Sequence, residues 1–315
     1  MSRVKLVRRY FGALLTVLLI LPTTFNAQAA DPTPAASTTT STTTSTTGPQ
    51  SPVATATNSP NGTSVPPPGA KPARKIFTGW IPYYSVRSGV ARVIAYKEMI
   101  GEVSPFWYSL TSSTSVKNQF TSANPSLKMA EQVQLLRSQG IKILPAITDG
   151  TKKLVLYGYL AKESTRKEVV STITNLVTKN NFDGIDLDLE GFAFVDGSSS
   201  WSKTKPVWTQ FVAELSASLH AQNKLLSVTT PVLFDPATGR KGSYSVYNWA
   251  GIAPYIDRLR IMAYDYSTTT AGPIGPLDWT EDAIKYAVTQ MPASKVYIGI
   301  PGYGRDWITK VEGVC

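Results

Sequence analysis

The chain has 315 residues, of which 42% are hydrophobic and 17% charged, a composition that favours one large folded domain with extensions. Its formal net charge is +10, but no basic run carries interleaved aromatic residues, so the sequence does not favour nucleic-acid binding. A positive charge suits polyanionic surroundings such as a cell wall, and ordinary solubility also accounts for it. The single cysteine, Cys315, excludes a Cys/His metal framework and leaves its own partner open.

Residues 1–29 have the pattern of a secretory signal peptide. A basic start is followed by the apolar stretch Phe11–Leu21 and by Ala27-Gln28-Ala29, which fits a small-x-small cleavage site. The apolar stretch is shorter than a membrane span requires, so we expect no stable membrane insertion. The sequence therefore predicts a secreted or cell-wall-associated protein, with an uncleaved N-terminal anchor as the alternative.

Residues 30–74 consist almost entirely of Thr, Ser, Pro, Ala and Gly. Such a segment cannot bury enough apolar surface to offset the entropy lost on ordering. The composition predicts a disordered linker between the signal peptide and a domain that covers residues 75–315.

Apolar runs alternate with amphipathic stretches throughout residues 75–315. The runs predict seven strands: Phe77–Tyr84, Val103–Leu110, Ile141–Ile147, Gly184–Glu190, Leu225–Leu233, Leu259–Tyr266 and Val296–Pro301. Helical periodicity is found between them, over Ser126–Ser138, Thr165–Thr178, Trp208–His220 and Thr280–Thr289. Repeated strand–helix alternation predicts an α/β fold, a TIM-type (β/α)8 barrel. Only seven of the eight strands are present, so we expect a C-terminally incomplete catalytic barrel.

The most informative segment is the acidic run Asp183–Glu190. Because strand side chains alternate between faces, Asp186, Asp188 and Glu190 are predicted to point together into the barrel. Three neighbouring buried carboxyls disfavour full ionisation, so we expect at least one of them to be protonated at neutral pH. Glu190, at the C-terminal end where barrel active sites lie, is the candidate general acid. A chance acidic strand or a hard-cation site is the alternative, although no second oxygen cluster is evident.

The run Asp183–Glu190 resembles the DxxDxDxE signature of glycoside hydrolase family 18, the chitinase-like enzymes, at all four acidic positions. Met262–Asp265 resembles the family's MxYD motif on the sixth strand, and Gly299–Arg305 its GxPxYGR motif on the seventh. The resemblance covers roughly Phe77–Trp307. It implies a glycosidase that needs no metal or cofactor and acts on β-1,4-linked N-acetylglucosamine polymers.

The resemblance also implies a retaining mechanism in which the substrate's own N-acetyl oxygen attacks the anomeric carbon. Glu190 would protonate the leaving oxygen and later activate water. Asp188 would hold the acetamido N–H, and Asp186 would share a proton with Asp188 and set its orientation. Tyr264 would donate its hydroxyl toward the acetamido carbonyl. Asp265 would bind the sugar or tune Glu190, whereas Asp183, which begins the strand, would be structural.

Aromatic residues near the predicted strand ends are candidates for stacking against sugar rings. Trp279 and Tyr303 are the preferred candidates because they adjoin the family motifs, and Met262 belongs to one of them. The other candidates are Trp80, Tyr83, Tyr84, Trp107, Tyr108 and Trp307. For each ring, core packing is an equally good interpretation.

Two segments, Ser104–Tyr108 and Gly272–Trp279, resemble the bacterial branch of the family that includes spore-cortex-lytic N-acetylglucosaminidases. Many chitinases carry a Ser-x-Gly-Gly element on the third strand, whereas that strand ends here in Pro145-Ala146-Ile147-Thr148-Asp149-Gly150, a departure that argues against long crystalline chitin as the substrate. We therefore expect a monomeric enzyme that acts on chitin oligomers or on peptidoglycan glycan strands. The alternative is a catalytically silent, lectin-like barrel.

Overall fold

A computed structural model describes residues 77–307 of the chain. The predicted signal peptide 1–29, the linker 30–74 and Cys315 lie outside the described residues. None of the helices within 77–307 is both long and apolar enough to cross a membrane.

The centre of the fold is a sheet in which parallel strands follow one another in chain order. Its strands are β1 (Phe77–Pro82), β2 (Ile100–Ser112), β4 (Lys142–Ile143), β5 (Ala146–Asp149), β6 (Gly184–Asp188), β7 (Leu225–Pro231), β8 (Arg258–Met262) and β9 (Val296–Gly299). Segments β4 and β5 are two parts of the third barrel strand, since both pair with β2. The strand β3 (Ser115–Asn118) returns antiparallel along the end of β2.

Helices follow the strands along the chain, as the alternating pattern predicts. They are α1 (Val86–Ala95), α2 (Gln119–Ala123), α3 (Met129–Ser138), α4 (Val155–Ala161), α5 (Glu163–Lys179), α6 (Gly191–Phe194), α7 (Trp201–His220), α8 (Trp249–Ile252) and α9 (Leu277–Gln290). The curled sheet of seven parallel strands with its helices confirms the predicted TIM-type arrangement. Within the described residues, β1 and β9 each pair with a single neighbour.

The hydrophobic core lies between the sheet and its helices. All five residues of β6 are buried, and Ile185 and Leu187 belong to the same apolar cluster as the helices. Helix α7 contributes Trp208, Phe211 and Leu215, which recur three and four residues apart and are fully buried. The apolar residues of β6 thus stabilise the outer layer, while the intervening acidic residues are left for the barrel interior.

The prediction of one continuous third strand, Ile141–Ile147, is wrong, because the strand is interrupted between Ile143 and Ala146. Pro145 has no N–H to donate to the ladder and breaks the pairing there. Its carbonyl still accepts a hydrogen bond from the Asp186 N–H at 2.9 Å, so the strand stays attached to β6.

Five strands, β1 and β6 to β9, end earlier than the sequence predicts, and the ends of β6 and β8 bear on the site. β6 stops at Asp188, and Glu190 has a helical backbone (φ −76°, ψ −12°) at the start of α6. β8 stops at Met262, and Asp265, three residues later, lies in the left-handed region with φ 59°. The early ends of β6 and β8 place the last acid of each motif, Glu190 and Asp265, beyond the strand at the C-terminal edge of the sheet.

Gly184, the first residue of β6, allows the close approach of β7. A Cβ at this position would lie 2.2 Å from the Leu225 carbonyl oxygen. We expect Gly184→Ala to lower the free energy of unfolding by about 1–3 kcal/mol, since backbone must move to relieve the overlap. Chemical denaturation of the purified protein measures the change.

Gly158, in helix α4, is the matched control. Nothing lies within 4 Å of a Cβ built there, so Gly158→Ala should be neutral or stabilising by up to about 1 kcal/mol. Equal stabilities of the two variants would show that the β6–β7 contact does not need glycine.

Candidate active site

The predicted site residues meet at the C-terminal ends of β6 and β8. Asp186 and Asp188 lie on β6 and are buried in the barrel interior, at 0% and 1% exposure. Glu190 follows in the loop that begins α6. Tyr264 and Asp265 follow β8 in the same way. Catalytic groups of barrel enzymes come from this edge, so the backbone places all five where the acidic run predicts a site.

Asp186 is held by protein groups alone. The Thr229 hydroxyl on β7 donates to both carboxylate oxygens at 3.0 Å. Arg260 on β8 donates from Nη1 to Oδ2 at 2.9 Å. These contacts fix the carboxylate and supply the positive charge that a fully buried anion requires.

Asp188 and Tyr264 have a different environment. Neither carboxyl oxygen of Asp188, nor the buried hydroxyl of Tyr264, has a hydrogen-bond partner within residues 77–307. Buried polar groups without a protein partner are costly, so they are suited to receive a polar ligand. Because Asp188 supplies acceptors and Tyr264 a donor, the pair matches the N–H and C=O of an amide.

The electrostatic surroundings of Asp188 favour the protonated form of its carboxyl. Burial, the Glu190 charge and the Asp186 charge raise the pKa of Asp188 well above its ordinary value, and Arg260 lowers it in part. Burial and then the Asp188 and Glu190 charges raise the pKa of Tyr264, so its hydroxyl keeps its proton at neutral pH.

Glu190 has the properties of a general acid. Burial, followed by the charge of Asp265, raises its pKa to about 7. A carboxyl with this pKa is protonated in about half of the molecules at neutral pH, so it can both give and take a proton.

Asp265 is fixed by the motif that follows β9. Tyr303 donates its hydroxyl to Asp265 Oδ1 at 2.6 Å, and Arg305 donates from Nη2 at 2.7 Å. The Tyr303 ring also packs edge-on against Tyr264, with centroids 6.4 Å apart. The second and third predicted motifs therefore form one unit around the site.

Two further predicted residues, Met262 and Trp279, are buried by packing contacts of their own. Met262 is the last residue of β8 and is buried between Pro231 and Gly299 in the register of the sheet. Trp279 lies in the first turn of α9, where its ring, 9% exposed, packs against Phe234 and Tyr266.

Asp183 is structural, as the sequence predicts, since it accepts the Ile143 N–H at 2.8 Å. Trp107 and Tyr108 are core residues, at 0% and 3% exposure. For these two rings, core packing is therefore the better of the two interpretations.

The sequence profile of glycosyl hydrolases family 18 matches residues 80–313. The chain belongs to this family. The profile covers most of the chain and includes every strand and loop that carries the acidic, tyrosine and arginine residues of the site.

Known family members show the same fold at low sequence identity. The glycosylase YdhD of Bacillus subtilis is 24% identical over 220 residues, which are 68% of this chain and 48% of that protein. A chitinase structure from Chromobacterium violaceum superposes with a TM-score of 0.58 at 21% identity, covering 71% of this chain and 68% of that one.

The spore cortex-lytic enzyme SleL of Bacillus megaterium superposes with a TM-score of 0.57 at 16% identity, covering 73% of this chain and 51% of that one. The chain spans about half the length of YdhD, and less of the other curated relatives that it matches.

Sequence reasoning missed Arg260 and Thr229, which hold Asp186. The signal is present, because Arg260 lies between Leu259 and Ile261 in a strand and must then point into the interior. Thr229 is its register partner on β7. A charged residue on the inner face of a barrel strand could have been paired with the acidic run.

An aromatic group beside Glu190 was also missed. Phe194 is 56% exposed, and its ring lies edge-on to Tyr244 with centroids 5.2 Å apart. Trp201 also packs against Tyr244, with ring centroids 5.9 Å apart. The Phe194 N–H donates to the Glu190 carbonyl at 3.1 Å, which places this group next to the candidate acid.

Within residues 77–307, no group of three or more His, Cys, Asp or Glu side chains is arranged to hold a metal ion. Asp186 is instead paired with Arg260, whereas Asp188 has no hydrogen-bond partner among these residues.

Asp265→Asn tests the electrostatic coupling across the site. Because the Asp265 charge raises the pKa of Glu190, its removal should lower that pKa from about 7 toward the ordinary value of 4.5. Titration of the ¹³C-labelled Glu190 carboxyl by NMR measures this directly. Asp282→Asn, on the outer helix α9, removes the same charge and should leave Glu190 unchanged. An unaltered pKa in Asp265→Asn would show that burial alone sets it.

Proposed function

We propose that the protein hydrolyses β-1,4-linked N-acetylglucosamine-containing glycans by a retaining, substrate-assisted mechanism. The observation that carries the proposal is the combination of a carboxyl with a pKa of about 7, Glu190, with the unpartnered polar groups of Asp188 and Tyr264. The first is suited to protonate a leaving oxygen. The other two are suited to hold an acetamido group in position.

In the first step, Glu190 gives its proton to the glycosidic oxygen as the bond to the anomeric carbon breaks. The acetamido carbonyl oxygen forms a bond to that carbon on the opposite face, which gives a cationic oxazolinium ring. Tyr264 donates to the acetamido oxygen, and Asp188 accepts its N–H. The carboxylate that Glu190 becomes on giving up its proton stabilises the cation that develops.

In the second step, the Glu190 carboxylate accepts a proton from water. The water oxygen attacks the anomeric carbon and the oxazolinium ring opens, which restores the acetamido group and the protonated Glu190. The two inversions give a product with the original β configuration.

The substrate class is supported by the surroundings of Glu190. The exposed Phe194 ring with Tyr244 and Trp201 offers an apolar face of the kind on which sugars stack. Chitin oligomers and peptidoglycan glycan strands both contain the required acetamido group. The relatives include chitinases and spore cortex-lytic enzymes, which is consistent with either polymer.

A binding-only barrel is the second candidate, and the state of Glu190 argues against it. Burying a carboxyl without partners costs free energy, and binding alone does not require an acid such as Glu190, with a pKa of about 7. The expected place of action, outside the cell or at the cell wall, is a proposal that rests on the pattern of residues 1–29.

Glu190→Gln tests the role of the acid. The amide keeps the shape of the side chain but has no proton to transfer, so turnover of chitin oligomers or peptidoglycan should fall by about 10²–10⁴-fold. Glycan affinity should be retained, which isothermal titration calorimetry measures.

The matched control is Glu131→Gln, an exposed glutamate on helix α3 whose ion pair with Lys128 is at the surface. This variant should keep wild-type turnover. The assignment would be wrong if Glu190→Gln turned over glycan within threefold of wild type.

The acetamido nucleophile is tested by the first anomer released and by substrates that lack the group. Well-oriented intramolecular attack has an effective molarity of about 10⁵ M or more, so glucose oligomers should be inert and a thiazoline mimic should inhibit. Tyr264→Phe should weaken both turnover and that inhibition, since it removes the donor to the acetamido oxygen. Rapid NMR of the product should show the β anomer first. An initial α anomer, or a glycosyl ester trapped on Asp265, would overturn the mechanism.

A further inference from the structure

Four charged residues form a connected group beneath the site, which we call the interior ion network: Glu102, Asp186, Arg258 and Arg260. Arg260 donates from Nη2 to Glu102 Oε1 at 2.6 Å and from Nη1 to Asp186 Oδ2 at 2.9 Å. Arg258 Nη2 lies 2.9 Å from Glu102 Oε2. The side chains of Arg260 and Glu102 are each 2% exposed, so these contacts are almost wholly shielded from solvent.

The network is balanced in charge. Two guanidinium groups, which stay protonated in proteins, face two carboxylates. Asp188 lies two residues beyond Asp186 on the same strand face and has neither a paired cation nor a hydrogen-bond partner within residues 77–307. A further negative charge on Asp188 would be uncompensated, whereas Asp186 is already paired.

We propose that Arg260 is a positioning residue that holds the Asp186 carboxyl in place and compensates the negative charge of the interior beneath Asp188. The inference rests on the proposed function for its catalytic consequence, although its charge distribution can be tested without any substrate.

The shape of the guanidinium matters as well as its charge. Arg260, on β8, reaches Glu102 and the Ser104 hydroxyl on β2 as well as Asp186 on β6. The Trp80 ring on β1 lies below the guanidinium at 5.9 Å. Only a planar fork with several donors can contact these strands together; a lysine ammonium supplies the charge but not the span.

The groups that influence Asp188 come from several elements, so a test must change the network and leave them in place. The loop after β6 supplies Glu190, the loop after β8 supplies Tyr264, and the turn before α8 supplies Tyr247. Asp265, held by Tyr303 and Arg305, acts on Glu190 from the far side. Arg260 acts on Asp188 from the interior ion network, and Glu102 is in contact with Arg260 at 2.6 Å.

The experiment compares two substitutions of opposite charge. Arg260→Met removes a cation and should raise the pKa of Asp188 by at least about 1, whereas Glu102→Gln leaves excess positive charge and should lower it. Titration of ¹³C-labelled aspartate carboxyls by NMR measures both. Shifts in the same direction, or none in either variant, would overturn the proposal.

Arg260→Lys separates charge from position. It should leave the pKa of Asp188 close to that of the wild type but lower kcat by about tenfold or more, with KM little changed, because Asp186 is no longer held in place. Wild-type kcat in Arg260→Lys would overturn the positioning role. If Arg260→Met does not fold, Glu102→Gln and Arg260→Lys still decide the question.

Arg166→Met is the control for stability. Arg166 is 5% exposed and pairs with Glu214 at 3.0 Å between helices α5 and α7, away from the site. It should lose stability as Arg260→Met does, with no change in the pKa of Asp188. If the pKa of Asp188 shifts in opposite directions in Arg260→Met and Glu102→Gln but the wild-type protein cleaves no glycan, the proposed function is refuted and the charge assignment stands.

Discussion

The guanidinium of Arg260 lies in the barrel interior between carboxylates from two other strands, Glu102 on β2 and Asp186 on β6. Taking any of these charges out of water alone would cost several kcal/mol, so their burial depends on mutual contact. Loss of one partner from such a set typically costs about 3–5 kcal/mol, because the other charge stays buried without compensation. The interior of the sheet can therefore be polar only if β2, β6 and β8 keep their relative positions.

This constraint divides the interior into two layers along β6. Asp186 belongs to the paired layer, and Asp188 lies about 6.6 Å further along the strand on the same face, given a rise of about 3.3 Å per residue. The lower carboxylate is balanced by protein, whereas the upper carboxyl lacks protein partners. Polar groups without partners can thus lie in the upper layer, because the charges of the lower layer compensate one another.

Packing at the C-terminal edge links the family motifs to one another. A Cβ on Gly299 would lie 2.8 Å from a ring carbon of Tyr264, so the glycine of the third motif makes room for the tyrosine of the second. Asp265 adopts a left-handed backbone that turns its carboxylate toward Tyr303 and Arg305. A non-glycine residue in that region costs free energy, and the hydrogen bonds to its side chain offset the cost.

Local patterns in the sequence determined the strands, the helices and the direction of the acidic side chains, because apolar periodicity and strand alternation depend only on neighbours along the chain. The predicted locations of Asp188, Glu190 and Tyr264 followed from that alternation and from the motifs. The limits of β6 and β8 did not, since a single backbone turn at Glu190 or Asp265 leaves no periodic signal.

Only the tertiary structure decided which charges compensate one another. Arg260 is separated from Glu102 by 158 positions and from Asp186 by 74, and no local pattern reports a contact over such distances. The aromatic group of Phe194 and Tyr244 depends in the same way on two segments far apart in the chain, helix α6 and the stretch between β7 and α8, which meet only in the folded structure. The sequence by itself determined which residues could carry the chemistry; the curvature of the sheet, which brings distant strands within hydrogen-bond reach, decided which of them are paired and which are left for a ligand.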